Sequence, residues 1–221
     1  MAKQIYPSSI TGMVTSLFAW LSTPDTKFKE QGEYYITVAV PRDSKEFAQI
    51  QAFLTPLLDK ASENAKEGAK PAEANKIISV APWTPETDAD GEETGRMKLR
   101  FKQQANVTRK SDGKVFHIQP LVYDTKGAQI MPTDIPVVGM GSNVRVSYEV
   151  SPYLQKGDPK RGVPPASGVS LRLKAVQIVD LVNGRGASAA DFGFGEEEGS
   201  FVSREKTPFD GEASGTGTGD F

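Results

Sequence analysis

In the segment RMKLRFK, four cations (Arg96, Lys98, Arg100 and Lys102) alternate with Met97, Leu99 and Phe101. A β-strand turns successive side chains to opposite faces, so this segment predicts one apolar face against a core and one face carrying a row of positive charge. A row of that kind suits a polyanion. Little other chemistry is available. There is no cysteine and a single histidine, His117. That excludes a thiol nucleophile, a disulfide scaffold and a Cys-built zinc or iron–sulfur site, and it leaves almost nothing for a His-built metal site. A lone histidine on a strand reads as structural, and His117 is not a site candidate. The string ETDADGEE sets Glu86, Asp88, Asp90 and Gly91 like the first half of a calcium loop, but Met97 stands where the closing bidentate glutamate belongs. The same acids lack a base or metal partner for a nuclease. Gly184-Arg-Gly186 and Gly139-Met-Gly141 lack the third glycine and the strand-to-helix setting of a dinucleotide fingerprint, and no Walker A sequence occurs. The chain reads as a non-enzyme without cofactor or metal.

Several elements must position the cation row. TGMVTSLFAW (Thr11 to Trp20) and EYYITVAV (Glu33 to Val40) predict two strands in a hairpin-like pair. Ser44 then precedes a helix in which Phe47, Ile50, Phe53, Leu54, Leu57 and Leu58 recur at helical spacing, with Gly68 as its stop and Pro56 as a kink. Residues 69–95, rich in Pro, Ala and acid, predict a long surface loop interrupted by a short strand at Ile77 to Val80. Beyond the cation row, Asp112-Gly113 predicts a tight turn returning through VFHIQPLVYD. Val144, Val146, Tyr148 and Val150 share one face of a further strand. Leu171 and Leu173 point inward with Arg172 and Lys174 outward on another, which then becomes apolar on both faces. The loop between these two, QKGDPKRGVPPASG, is predicted to be mobile and unpacked. The fold class is therefore mainly β: five or six strands with one early helix. The OB-fold, a five-stranded antiparallel Greek-key barrel, is the first candidate within a wider class of barrels and sandwiches.

Of 221 residues with net charge −2, residues 1–182 hold 23 Lys and Arg against 20 Asp and Glu, while residues 183–221 hold 3 against 8. Residues 96–174 carry 14 basic and 5 acidic side chains. The division predicts a basic domain over 1–182 and an acidic tail over 183–221. The tail is dominated by Gly, Ser, Ala and acid, so it cannot bury enough surface to offset its ordering entropy; it is predicted to be disordered. Its Phe192, Phe194, Phe201, Phe209 and Phe221 then act as exposed hooks. Opposite charges on one chain attract, so the tail can occupy the site meant for an external polyanion. No apolar stretch approaches the roughly 20 residues that cross a bilayer. MAKQIYPSS has no apolar run behind its lysine and does not read as a secretory signal. Together with the absence of cysteine, this points to a reducing cytosol.

MAKQIY, RMKLRFK, KVFHIQPLVYDTKG, IPVVGMGSNVRVSYEVSPY, GVSLRLKAVQIVDLV and an acidic tail ending in Asp220-Phe221 follow one another along the chain. In that order they resemble the single-stranded DNA-binding proteins of tailed, T-seven-like bacteriophages. The resemblance implies an OB-fold and sequence-independent binding of single-stranded DNA in phage DNA replication, recombination and repair, in the cytoplasm of an infected bacterial host. It also implies a tail that recruits the phage DNA polymerase and helicase-primase and competes with DNA for the groove, and a homodimer. The ending GTGTGDF has fewer consecutive acids than the family's extremes, which bears on the strength of that competition.

Such binding needs cations that track phosphates and aromatic faces on which bases stack. The candidate phosphate contacts are Lys3, Lys98, Arg100, Lys102, Arg109, Lys110, Lys114, Arg145, Arg172 and Lys174. For stacking, Trp83 is favoured because it lies between Pro82 and Pro85 in a predicted loop, followed by Tyr153, Tyr123, Phe116 and Trp20. In the tail, Asp220 and Phe221 place an aromatic ring beside a carboxylate, a handle for a basic pocket on a partner. Two competing readings stand beside these. A cation row also serves as a solvated face that blocks edge-to-edge aggregation, and a basic face suits a non-enzymatic interaction module for an acidic protein partner.

Overall fold

The computed structural model describes residues 6–109 and 111–182. Its first strands are β1 (Ser8–Ile10), β2 (Val14–Asp25) and β3 (Glu33–Pro41), followed by helices α1 (Lys45–Glu67) and α2 (Pro71–Ala74). Then come β4 (Ile78–Val80), β5 (Trp83–Thr87), β6 (Glu93–Gln104), β7 (Asn106–Thr108) and β8 (Val115–His117). The last four are β9 (Leu121–Tyr123), β10 (Gln129–Ile130), β11 (Asn143–Gln155) and β12 (Ala166–Asp180).

The long strands close on themselves. β2 pairs with β3 and β3 with β6, both antiparallel. β6 meets β12 in parallel at Lys102 and Arg172, β12 pairs with β11 along its length, and β11 returns to β2 at Val144 and Val14. In barrel order this is 1-2-3-5-4 and back to 1, the OB-fold path. The helix enters between the second and third barrel strands, as expected.

Alternation explains which side chains fill the barrel. Ile36, Val38 and Val40 from β3, Met97, Leu99 and Phe101 from β6, Val144, Val146, Tyr148 and Val150 from β11, and Leu171 and Leu173 from β12 belong to one buried cluster. Burying each large side chain of that set contributes about 1.5 to 3 kcal/mol. The stretch of β12 that reads as apolar on both faces is a bulge. Lys174 is the extra residue opposite the step from Ser147 to Tyr148, so the inward positions shift from Leu171 and Leu173 to Val176 and Ile178.

Helix α1 begins where Ser44 Oγ accepts the backbone N–H of Phe47 at 3.1 Å. It buries Phe47, Ile50, Leu54, Leu58 and Ala61. The helix runs unbroken through Pro56, which lies on its exposed side. No carbonyl there is forced to lose a partner inside the core.

One loop expectation is corrected and a second is refined. Within residues 69–95, α2, β4, β5 and the start of β6 replace most of the predicted loop. β4 runs parallel to the start of β12, and β5 is antiparallel to β6. These pieces are short and proline-flanked, and their partners are remote in the chain, so local pattern does not reveal them. The loop between β11 and β12 stays largely exposed, but it carries internal turns rather than lacking structure. Asp158 and Val163 exchange backbone hydrogen bonds of 2.9 and 3.0 Å, Asp158 Oδ1 accepts the N–H of Lys160, and Gly162 supplies a φ of +67°.

Candidate nucleic-acid interface

The outward faces of the barrel strands form a continuous cross-strand rung. Glu149 lies opposite Arg172, Arg172 opposite Lys102, Lys102 opposite Tyr35, and Tyr35 opposite Trp20. The next rung sets Arg100 opposite Thr37 and Thr37 opposite Phe18. Cations thus gather over β6 and β12, and aromatic rings over β2 and β3. Phe18 and Trp20 are 54% and 39% exposed. The Phe18 ring lies nearly parallel to that of Tyr35, with centroids 6.0 Å apart and 19° between planes, and the Arg100 guanidinium sits 4.0 Å from the Tyr35 centroid. Burial, reinforced by the charge of Asp25 that accepts its hydroxyl at 3.3 Å, pushes Tyr35 above the usual phenol range, so it stays neutral.

Beside the rung lies a groove of about 400 Å³, lined by Pro82, Arg100, Lys102, Tyr153, Gln155, Val169, Ser170 and Leu171. Tyr153 lies flat over Gly168, its register partner. A Cβ at that position would stand 2.6 Å from the Tyr153 phenolic oxygen and 2.7 Å from Cζ, so only glycine leaves room for the ring. The groove therefore offers one ring face with two cations alongside, which is what one nucleotide of a single strand requires.

The structure gathers several predicted residues here. Arg100, Lys102 and Tyr153 line the groove, Arg172 and Trp20 extend the rung, and Lys174 follows Arg172 on β12. Arg145 lies on the outer face of β11 opposite Gln177, and Gln177 is opposite Tyr123 on β9, so these two join the same face further along β12. Lys98 shares the outer row of β6 but lies between Ala39 and Thr84, on the stretch covered by β5. Arg109, Lys114 and Phe116 are elsewhere. They belong to the separate two-stranded β7–β8 hairpin, where Arg109 sits 4.2 Å from the Phe116 centroid and pairs with Asp112 at 3.3 Å. Lys3, Lys110, Asp220 and Phe221 lie outside the described residues.

Trp83 is corrected in its setting. It stands in strand β5, not in a loop, and packs edge-on against Phe47 at 5.8 Å, partly buried on the core. Its indole is occupied by the helix–barrel interface. Arg96, fourth member of the cation row, is bound to Glu86 through Nε at 2.5 Å and Nη2 at 2.9 Å. Burial by itself would raise the Glu86 carboxyl. The Thr94 and Arg96 hydrogen bonds and the charges of Arg96 and Lys98 outweigh it and hold that carboxyl below its ordinary value. The acids of the rejected calcium string serve the chain itself: Asp88 Oδ1 accepts the N–H groups of Asp90 and Glu92. Among the described residues no cluster suits a metal ion. His117 bridges Tyr34 Oη at 3.1 Å and Asn106 Oδ1 at 3.2 Å, a structural role.

Sequence reasoning missed Phe18, Tyr35, Tyr6, Phe28, Gly168, Glu33 and Glu149. Phe18 and Trp20, two residues apart on one strand, carried a legible same-face signal. Tyr6, with Arg172 5.3 Å from its ring, and the contact of Tyr153 with Gly168 depend on pairings that no local pattern discloses.

A family profile described as "Single-stranded DNA-binding protein, Bacteriophage T7" matches residues 12–181. The chain belongs to that family. Curated members similar to it include the single-stranded DNA-binding protein of Escherichia phage T7, 25% identical over 207 residues that span 90% of this chain and 82% of the relative. That of Enterobacteria phage T3 is 24% identical over 215 residues, spanning 92% and 87%. Among solved structures, the T7 protein gp2.5 aligns with a TM-score of 0.66 at 22% identity, covering 90% of this chain and 100% of that one. The single-stranded DNA-binding protein of bacteriophage Enc34, solved in complex with single-stranded DNA, aligns at 0.52 and 15% identity, covering 81% and 93%. These two likenesses show the fold. Through Arg100 and Lys102 of β6, the groove borders the place where OB-folds in general take up oligonucleotides. That place is the face of the second and third barrel strands, flanked by the loops after the first and fourth. Here these are β3 and β6, with residues 26–32 and 156–165 as the loops. Phe28, 83% exposed, stands at the first of them.

Proposed function

We propose that this chain is a non-enzymatic module that binds single-stranded DNA without regard to sequence, along the outer face of β3, β6 and β12. The observation that carries this reading is the rung running from Trp20 and Tyr35 to Lys102 and Arg172, with the Tyr153 groove beside it. Bases stack on Phe18, Trp20 and Tyr153, each stack contributing about 1 to 3 kcal/mol. Phosphates follow Arg100, Lys102, Arg172, Lys174 and Arg145, with Lys98 at the margin, and each neutralised phosphate adds a salt slope of about −0.7. Tyr123 and the hairpin residues Arg109, Lys114 and Phe116 lengthen the path, and Lys3 and Lys110 add further phosphate contacts.

The biological setting belongs to the same proposal. The chain divides into a DNA-binding domain over 1–182 and an acidic partner-binding tail over 183–221. The charge asymmetry supports a tail that competes with DNA and, through Asp220 and Phe221, engages the phage DNA polymerase and helicase-primase. Acting as a homodimer in the cytoplasm of the infected host, the protein would serve replication, recombination and repair. Among the described residues no helix is long and apolar enough to cross a membrane.

The test is a fluorescence titration with oligo(dT) of increasing length at two salt concentrations. Quenching should saturate, strengthen with length and weaken with salt. It should be lost in Trp20→Phe and retained in Trp83→Phe, because only the first indole lies on the binding face. Binding indifferent to strand length would favour an acidic protein as the partner instead.

A further inference from the structure

The cationic face holds two carboxylates that phosphate binding does not require. Glu149 on β11 places Oε1 3.3 Å from Lys174 Nζ and Oε2 3.7 Å from Arg172 Nη1. Glu33, at the start of β3, places Oε1 2.5 Å from Lys29 Nζ and Oε2 3.4 Å from Arg100 Nη2. Their side chains are 27% and 13% exposed, so each acid is set into the surface beneath its cations. Lys102, between Arg172 and Tyr35 on the rung, makes no ion pair among the described residues. Charge is therefore damped on either side of Lys102, at Arg100 and at Arg172, and left undamped at Lys102 itself, next to the Tyr153 ring.

Single-stranded and duplex DNA offer such a face different things. Both offer phosphates, and the duplex packs more of them, about one charge per 1.7 Å of axis. Only the single strand offers open base faces to Phe18, Trp20 and Tyr153. A duplex must bind through charge alone, so acids that damp the charge remove a larger share of its binding energy. A flexible strand can also bring a phosphate to Lys102 while its neighbours pass the acids at a distance. The rigid spacing of a duplex backbone does not allow this.

We propose that Glu33 and Glu149 are specificity-determining residues that disfavour duplex DNA by pairing with Arg100, Lys29, Arg172 and Lys174, an inference that rests on the single-strand reading above. Discrimination here comes from repulsion of the wrong ligand as much as from attraction of the right one.

The test uses the full chain, with anisotropy titrations of a 30-nucleotide oligo(dT) and a 30-base-pair duplex at 50 and 200 mM NaCl. In the Glu33→Gln/Glu149→Gln double variant, duplex affinity at the lower salt should rise about tenfold and oligo(dT) affinity about two- to threefold, since only the former depends wholly on charge. The difference should narrow at the higher salt, where the Debye length falls below about 8 Å. Glu149→Asp keeps the charge and should keep the wild-type selectivity. If the double variant melts early, Glu33→Gln by itself carries the test at roughly half the logarithmic effect, as one of two similar charges. Equal gains for both ligands, or no gain for the duplex, overturn the proposal. Failure of the wild-type protein to bind oligo(dT) is a separate result that overturns the single-strand reading itself.

Discussion

Two regions of the molecule set an arginine over an aromatic ring at nearly the same distance. On the barrel, Arg100 lies 4.0 Å from the Tyr35 centroid; on the β7–β8 hairpin, Arg109 lies 4.2 Å from that of Phe116. Their surroundings differ. Tyr35 is paired on both sides, to Trp20 and Lys102, and backed by a closed barrel. Phe116 belongs to two three-residue strands whose outer edges have no strand partner among the described residues. An isolated two-stranded hairpin is marginally stable at best. The same cation–ring pair is thus preorganised in one place and carried on a light support in the other, and preorganisation reduces the ordering cost of binding.

The largest expected effect comes from removing ring faces. Tyr153→Ala should weaken oligo(dT) binding by about 1 to 3 kcal/mol, and Gly168→Ala should do much the same by pushing the ring off its seat. Phe116→Ala should cost well under about 1 kcal/mol, because ordering the hairpin offsets the stack. Anisotropy titrations of all three decide the matter, and an equal loss at Phe116 would abolish the distinction between barrel and hairpin. A smaller effect, read as a slope, sharpens it. Lys102→Ala should reduce the dependence of log affinity on log salt by about 0.7, the value of one phosphate. Arg109→Ala should reduce it by less, since Asp112 already pairs with that arginine.

The last effect falls on folding stability rather than on DNA binding, and it fades in acid. Glu86 holds Arg96 and Thr94 and so ties β5 to β6 on the barrel side. Its carboxyl is lowered in the folded state, so its contribution is complete above the unfolded value, near 4.5, and fades as the pH falls through the folded value. Glu86→Gln should therefore lower stability by about 2 kcal/mol at pH 7. The gap to wild type should close as melting curves are taken from pH 5 towards pH 3. A gap that stayed constant with pH would mean that the ion pair contributes nothing beyond packing.

Much of this was legible in the chain. The alternation of RMKLRFK assigned Arg100 and Lys102 outward and Leu99 and Phe101 inward, and the Ser44 cap and the helical spacing from Phe47 to Leu58 located α1. Trp83 was misread because two flanking prolines imitate a loop, while the strand it belongs to exists only by pairing with Met97 to Leu99 of β6. Phe18 was overlooked although it shares a face with Trp20. Glu33 and Glu149 could not be singled out, because nothing near them in the chain distinguishes them from other surface acids.

What the sequence determines by itself is the side on which each residue of a strand falls, because that depends on a period of two within a few residues. It also determines the separation of a basic body from an acidic tail. Which outward residues become neighbours was decided only by barrel closure. Arg172 meets Lys102 through the single parallel contact of β12 with β6, and Tyr35 meets both Trp20 and Lys102 through pairings on its two sides. Such registers join strands far apart in the chain and rest on the fit of the whole core. One residue of slip would turn every cation of β6 inward, so the packed interior selects the rung that the surface presents.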